Sequence, residues 1–166
     1  MSTPPFRAVK FCLSSPEGQE AWRAFSRVNP APLDASLLEG QWREWFKCSH
    51  PGGSSKHATS AFSAREGSSP TGRYGTVAWY PWRNKAVLLL EESEFIEVRT
   101  NRNRNKIRSE EQQELSMKSV GVVGMSVGRS VAIAMAMERV IGRLHLADSD
   151  TIELSNLNRI PASVFE

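Results

Sequence analysis

A glycine-rich turn and a pair of aspartates are the residues in this sequence best suited to chemistry. Gly124, Ser126 and Gly128 lie close together, and Asp148 and Asp150 follow further along the chain. Small residues let phosphate groups approach the backbone, and the unpaired N–H groups at the start of a helix attract negative charge. Carboxylates accept hydrogen bonds from ribose hydroxyls. This order of residue types predicts a nucleotide site.

The segments around the turn have the patterns that such a site needs. An apolar run over 120–123 predicts a buried strand, and apolar residues at three- and four-residue steps predict a helix over 127–141. Gly142 is suited to end that helix. Residues 143–147 predict a second strand that leads into the aspartates. The order is that of a Rossmann-like nucleotide-binding unit.

The residues after the second strand carry a family resemblance. Positions 148–159 read DSDTIELSNLNR, which closely resembles the D-x-D-x-[VI]-E-x-S-N-L-N-R signature of the ThiF/MoeB/ubiquitin-activating superfamily. The turn departs from the family's usual G-x-G-G-x-G, because Ser126 replaces the middle glycine and the glycine spacing is one residue shorter. Ile160 also stands where the family usually has Gln. The resemblance covers the stretch from Ser119 to Arg159.

The resemblance implies an enzyme that uses ATP and Mg²⁺ to convert a carboxylate to an acyl-adenylate, with release of pyrophosphate. The implied acceptors are the C-terminus of a ubiquitin-like or sulfur-carrier protein, a carboxylate on a tRNA nucleoside, or a small molecule. A homodimer is implied for the intact protein, and its magnesium ligand is expected outside this chain. The site residues that the resemblance implies are Gly124, Ser126 and Gly128 for the phosphates, Asp148 and Asp150 for the ribose, and Arg159 and Asn156 for catalysis.

A basic segment over 99–108 precedes the nucleotide unit. Its first residues, RTNRN, are similar to an R-x-x-R-Q-like motif of the family, whose arginine reaches ATP phosphates across a dimer interface. The similarity implies a catalytic role for Arg102, with Arg104 as the second choice. A solvated basic loop is the other interpretation, since charged runs are commonly of that kind.

Three other functions are compatible with parts of this sequence. The stretch 124–128 also satisfies G-x-S-x-G, the nucleophile elbow of α/β-hydrolases, but the only histidine after Ser126 is His145, which precedes the aspartates. An NAD- or FAD-dependent oxidoreductase has the same order of strand, turn, helix and acid, but its function does not require the SNLNR run. A catalytically inactive nucleotide-binding or scaffold fragment stays open.

The first part of the chain predicts a separate α+β module. Its predicted elements are helices over 16–28 and 35–46, whose aromatic residues are expected in the core, a mobile loop over about 48–75 rich in Ser, Gly and Thr, and an antiparallel meander over 76–80, 86–90 and 94–99. Ser109 and Gln112 predict a capping box for a helix over 110–118. Cys48, His50 and His57 lie near one another, but they fit no familiar zinc spacing.

The predicted organisation is therefore α/β, with an N-terminal module over residues 1–98 and an incomplete Rossmann-like domain over residues 99–166. The net charge of +3 is mild and by itself indicates neither a nucleic acid nor a membrane partner. No secretory signal or long apolar run is visible, and the two cysteines form no CxxC pair, so a cytoplasmic location is expected. We expect the chain to be part of a longer protein or a truncated product that is inactive alone.

Overall fold

The computed structural model describes residues 7–68, 73–158 and 160. Helices and strands are interspersed along the chain, so the protein is a mixed α/β protein, as predicted. The chain divides into two compact units, Met1–Asn101 and Arg102–Glu166. No helix among the described residues is both long enough and apolar enough to cross a bilayer.

The N-terminal unit is built on a four-stranded sheet. Its strands are β1 (Val9–Cys12), β2 (Leu33–Asp34), β3 (Thr76–Tyr80) and β4 (Lys85–Leu89), in the order β1-β3-β4-β2. β3 pairs antiparallel with both β1 and β4, whereas β2 runs parallel to β4. The predicted hairpin of β3 and β4 is confirmed, whereas no sequence pattern indicated β1 or β2. β2 has only two residues, which is too short for an alternating pattern to be recognised.

Four helices accompany this sheet: α1 (Pro16–Val28), α2 (Leu38–Ser49), α3 (Ser55–Ser68) and α4 (Glu92–Thr100). The predicted bounds of α1 are confirmed, and the Oγ of Ser15 accepts a hydrogen bond from the N–H of Gly18 to cap it. The second helix begins and ends about three residues later than predicted. Trp42 and Phe46 on α2 are buried, so the prediction that its aromatic face belongs to the core is confirmed.

Two predictions for the N-terminal unit were wrong. Residues 94–99, predicted as a strand, lie in α4, where acidic residues in the first turn favour the helix and Phe95 and Val98 contact the core. The predicted mobile loop contains α3, because Ala58, Ala61 and Phe62 recur at helical spacing and pack beside Trp42. Residues 69–72 of that predicted loop lie outside the described residues.

The C-terminal unit contains one βαβ unit preceded by a short helix. The elements are α5 (Ser109–Leu115), β5 (Ser119–Val123), α6 (Gly128–Glu138) and β6 (Arg143–Ala147). β5 and β6 are parallel neighbours, paired in register from Ser119 opposite Arg143 to Val123 opposite Ala147. Their order along the chain agrees with the predicted strand, turn, helix and strand.

The helices of this unit differ from the prediction at their ends. α6 ends at Glu138 instead of 141, because Arg139 adopts the left-handed conformation with φ 56°. Gly142 is needed for another reason: a Cβ there would overlap the carbonyl oxygen of Ser116. The predicted capping box at Ser109 is also wrong, since α5 begins at Ser109 and the N–H of Arg108 donates to Glu111 Oε2 at 2.9 Å.

The C-terminal unit buries few apolar side chains. Ala132 on α6 is buried, whereas Val123 at the end of β5 is 85% exposed and Leu146 on β6 is 56% exposed. Parallel sheets are usually covered on both faces. The apolar face of this βαβ unit therefore lies open over much of its area.

Asn103 anchors the basic segment to the end of α6. Its Nδ2 donates to the carbonyl oxygen of Glu138 at 2.8 Å and to Gln112 Oε1 at 3.0 Å. Gln112 Nε2 in turn donates to the carbonyl oxygen of Arg139 at 2.6 Å. These bonds satisfy carbonyl groups that the last turn of a helix leaves without partners.

We predict that Asn103→Ala destabilises α6, because the part-buried hydrogen bond to the carbonyl oxygen of Glu138 at its C-terminus is lost together with the bond to Gln112. Loss of about 1–3 kcal/mol corresponds to roughly 5- to 150-fold faster exchange of the α6 amide protons. Hydrogen exchange measured by NMR checks this. Asn105→Ala, at an exposed position two residues away, is the matched control and is expected to change little. Equal exchange in the two variants would contradict the prediction.

Candidate nucleotide-binding site

The glycine turn connects the carboxyl end of β5 to the start of α6. Gly124 has φ 87°, a conformation that residues with a side chain rarely adopt. The Gly124 N–H donates to the carbonyl oxygen of Ala147 at 2.9 Å, and the Gly128 N–H donates to the carbonyl oxygen of Gly124 at 3.1 Å. The turn is thereby joined to the end of β6, which brings the two ends of the predicted site together.

Gly128 also allows α6 to pack closely on β5. A Cβ at this position would lie 2.6 Å from Val122 Cγ1 and 3.4 Å from Met125 Cε. Gly124, by contrast, has no atom within 4 Å of such a Cβ, so its requirement for glycine comes from its backbone conformation. Ser126 is half-buried between the two glycines. Each glycine therefore has a packing or conformational role in addition to any contact with a ligand.

Asp148 ties the acidic end of β6 to the turn. Its Oδ2 accepts a hydrogen bond from the Met125 N–H at 2.5 Å, and its Oδ1 accepts one from the Asp150 N–H at 3.0 Å. These backbone N–H donors hold the pKa of the Asp148 carboxyl below its ordinary value. The Ser149 N–H is a third backbone donor to this carboxylate, so Asp148 chiefly holds the turn in place.

Asp150 is the second exposed carboxylate after β6. Its Oδ1 accepts a hydrogen bond from Ser149 Oγ at 3.3 Å. Sequence patterns alone did not separate the two aspartates. Asp148 holds the turn through the Met125 N–H, whereas Asp150 follows β6 at the same end of the strands as the turn and has a carboxylate that can accept hydroxyl donors.

Of the two catalytic residues predicted after β6, Asn156 lies within the described part of the chain. Asn156 lies in a 3₁₀ helix, Leu154–Asn158, where its Oδ1 accepts a hydrogen bond from the Glu153 N–H at 2.8 Å. The Asn156 side chain thus caps its own turn, and its Nδ2 is the group left to donate outward. Arg159 lies outside the described residues.

Arg102 and Arg104 do not join this site within one chain. Both are exposed, and Asn103 between them is fixed to the C-terminal end of α6. The glycine turn precedes the opposite end of that helix, whose 11 residues span about 16 Å. A phosphate held at the turn is therefore beyond the reach expected of Arg102 from the same molecule.

Arg129 is a candidate site residue that the pattern of glycines and acids did not reveal. It is the second residue of α6, and its Nη1 is buried without a hydrogen-bond partner among the described residues. A buried guanidinium donor without a partner is costly, and a cation at the start of a helix opposes the helix dipole. A bound anion would relieve both costs. The sequence signal was a basic residue directly after Gly128.

The described residues do not assemble the nucleophile and base of a serine hydrolase at the turn. His145 Nε2 lies 3.2 Å from Ser119 Oγ, at the first residue of β5, instead of beside the serine of the turn. Among the described residues, no three His, Cys, Asp or Glu side chains are grouped to hold a metal ion. His50 stacks on Phe46 with ring centroids 4.5 Å apart.

Comparison with known proteins finds a relative that matches about half of the chain. No protein-family model matches the chain, and no solved structure matches it. The chain is 51% identical over 89 residues to the uncharacterized protein MT1398 of Mycobacterium tuberculosis (strain CDC 1551 / Oshkosh). The match covers 54% of this chain but 12% of the relative, so the chain spans about an eighth of that protein's length.

Proposed function

We propose that the C-terminal unit is the first part of the ATP-binding domain of a ThiF-type adenylyltransferase. The observation that carries this proposal is the hydrogen bond from the Met125 N–H to Asp148. It joins the glycine turn to the acid that opens the DSDTIELSNLNR run, so the two halves of the sequence signature meet at one edge of the sheet. Such an edge, at the carboxyl ends of parallel strands, is where α/β domains bind nucleotides.

Each group at this edge has a role in binding ATP. Backbone N–H groups at the start of α6, together with the guanidinium of Arg129, face negative charge on the phosphates. Asp150 accepts hydrogen bonds from the ribose hydroxyls, and Asp148 keeps the turn in place while it offers a further acceptor. The residues present therefore suit a nucleotide better than they suit an uncharged ligand.

The chemistry implied is attack of a carboxylate on the α-phosphate, which gives an acyl-adenylate and pyrophosphate. Since negative charge grows on the phosphate oxygens in that step, the protein's main contribution is electrostatic. Asn156 and Arg159 are proposed to donate to those oxygens. Mg²⁺ would neutralise further charge, and its ligand is proposed to come from other parts of the full protein.

The proposed partners follow from the same reaction. The acceptor is a carboxylate, such as the C-terminus of a ubiquitin-like or sulfur-carrier protein. Because Arg102 lies at the far end of α6 from the turn, it would serve a nucleotide only in a second copy of the chain, consistent with a homodimer. The open apolar face of β5 and α6 would be covered by further chain in a longer polypeptide.

A catalytically inactive nucleotide-binding fragment is the second candidate, and the exposed side chains of Val123 and Leu146 favour it for this chain alone. An NAD- or FAD-dependent enzyme is the third. The candidates differ in what they bind and release: the first exchanges pyrophosphate into ATP when its acceptor is present, the second binds ATP without exchange, and the third prefers a dinucleotide.

We predict that Asp150→Asn weakens ATP binding by about tenfold, because a carboxylate that accepts from ribose hydroxyls is replaced by a neutral amide. Isothermal titration calorimetry with ATP checks this. Glu110→Gln removes one carboxylate at an exposed position of α5 and is the control for net charge. Equal ATP affinities of the wild type and the Asp150→Asn variant would remove Asp150 from the site, and a wild type that binds no ATP would reject the proposed function.

A further inference from the structure

A cavity in the N-terminal unit has a cysteine in its wall. The cavity measures about 400 Å³ and is lined by residues of β1, β3 and the start of α4. These residues are Lys10, Cys12, Thr76, Glu91, Glu92 and Ser93. Cys12 is exposed, and its thiol is free. The cavity therefore offers one thiol among cationic, anionic and hydroxyl groups.

Strand pairing places Lys10, Cys12 and Thr76 on one face of the sheet. Cys12 lies directly opposite Thr76 in the antiparallel pair of β1 and β3. Lys10 precedes Cys12 by two residues, and residues at that spacing on a strand share a face about 7 Å apart. Phe11, between them, packs against Trp22 in the core. The thiol, the hydroxyl and the ammonium group therefore belong to the same wall of the cavity.

The Thr76 hydroxyl points to a ligand in this cavity. Thr76 is 9% exposed, and its Oγ1 makes no hydrogen bond with another described residue. A hydroxyl buried to this degree normally has a hydrogen-bond partner, because its transfer out of water is otherwise unfavourable. Since Thr76 lines the cavity, a molecule bound there can supply the missing partner.

An exposed ion pair forms the charged part of the wall. Lys10 Nζ lies 2.7 Å from Glu92 Oε1, and the two side chains are 53% and 59% exposed. A pair this exposed contributes little to stability, so both groups can exchange partners at low cost. The neighbouring carboxylate of Glu91 already has Arg65 Nη2 at 3.4 Å from its Oε2. Lys10 can therefore receive a carboxylate while Glu92 receives an ammonium group.

We propose that Cys12 is a modification site for small disulfides that carry both an ammonium and a carboxylate group. The Cys12 thiolate attacks one sulfur of the disulfide, so a mixed disulfide forms while the original S–S bond breaks. Cys12 is oxidised, and the departing half is reduced to a thiolate that takes up the equivalent of the proton that Cys12 released. The attached half pairs its carboxylate with Lys10 and its ammonium group with Glu92, and it accepts a hydrogen bond from Thr76.

Cys48 provides the comparison for Cys12 within the same chain. It lies on α2, is half-buried, and is not among the residues that line the cavity. An exposed thiol beside groups that bind the incoming disulfide should react faster than a half-buried thiol that lacks them. The sequence contains these two cysteines and no other, so single serine variants assign each modification to its residue.

Reaction of the reduced full chain with cystine at one fixed pH, followed by mass spectrometry, tests the site. We expect one half-cystine per chain in the wild type and in Cys48→Ser, and little addition to Cys12→Ser over the same time. Thr76→Val should slow addition to Cys12 by roughly 2- to 10-fold, as expected for one hydrogen bond, whereas Thr76→Ser keeps the hydroxyl and the wild-type rate. Thr59→Val changes an exposed threonine of α3 and is the matched control.

Cystamine, a disulfide with ammonium groups but no carboxylate, tests the recognition of charge. In Lys10→Gln the ratio of the cystine rate to the cystamine rate should fall by roughly 2- to 5-fold, as expected for an exposed ion pair. Lys85→Gln removes the same charge from β4, outside the cavity, and should keep the wild-type ratio.

Three results would overturn the proposal: addition no faster at Cys12 than at Cys48, an unchanged rate in Thr76→Val, or an unchanged ratio in Lys10→Gln. If Thr76→Val fails to fold, the ratio in Lys10→Gln still decides, because Lys10 is exposed.

Discussion

Gly75→Ala is expected to lower the free energy of unfolding of the N-terminal unit by about 3 kcal/mol or more, because it combines backbone strain with overlap. Gly75 has φ 100°, and a Cβ there would overlap the carbonyl oxygen of Leu89. The residue cannot move aside easily: its carbonyl oxygen accepts from the Leu13 N–H at 2.8 Å, and its N–H donates to Ser14 Oγ. The change therefore disturbs the place where the chain enters β3.

Gly67→Ala is the matched control for this substitution. Gly67 lies within α3, and no atom lies within 4 Å of a Cβ at that position. Gly67 is the next-to-last residue of α3, so alanine there should change the free energy of unfolding by less than about 1 kcal/mol. Urea unfolding followed by tryptophan fluorescence checks both variants, since Trp22, Trp42 and Trp79 all lie in this unit. Equal unfolding midpoints would show that Gly75 is not conformationally required.

The second large effect is expected at Arg129. Arg129→Gln should weaken binding of ATP by about 10- to 100-fold, since a charged hydrogen bond to phosphate contributes about 1.5–3 kcal/mol. Adenosine, which has no phosphate, should bind the variant and the wild type equally. That difference separates a phosphate contact from general damage to the turn.

Arg143→Gln is the control for Arg129. Arg143 is exposed at the first residue of β6, opposite Ser119 and therefore at the other end of the strands from the turn. The substitution removes the same charge from the same unit. Calorimetric titration of both variants checks the prediction, and equal ATP affinities would mean that the buried Nη1 of Arg129 faces no phosphate.

Local patterns predicted the C-terminal unit better than the N-terminal one. The strand, turn, helix and strand from β5 to β6 are consecutive, and the parallel strands have apolar runs that need no distant partner to be recognised. α3 and α4 are stabilised by contacts with residues far away in sequence. The indole N–H of Trp42 donates to the carbonyl oxygen of Ala58 on α3, and Phe95 on α4 packs against the cluster that contains Leu38 and Tyr74. The composition of a short stretch of sequence does not predict those contacts.

The site was predictable in its residue types but not in its division of roles. Spacing placed Asp148 and Asp150 together, yet only the hydrogen bond from the Met125 N–H distinguishes the residue that holds the turn. Similarly, the position of Arg102 relative to the turn depends on the anchoring of Asn103 to Glu138, two residues far apart in sequence. Contacts of this kind can be identified only in the three-dimensional structure.

The most direct test of the nucleotide proposal is an ATP titration of the ¹⁵N-labelled chain followed by NMR. We expect saturable shifts of the backbone amides of Gly124, Met125, Gly128 and Asp150, while those of the N-terminal unit stay unchanged. Adenosine should cause smaller shifts at the start of α6. Absence of any shift at millimolar ATP, or shifts confined to the N-terminal unit, would contradict it.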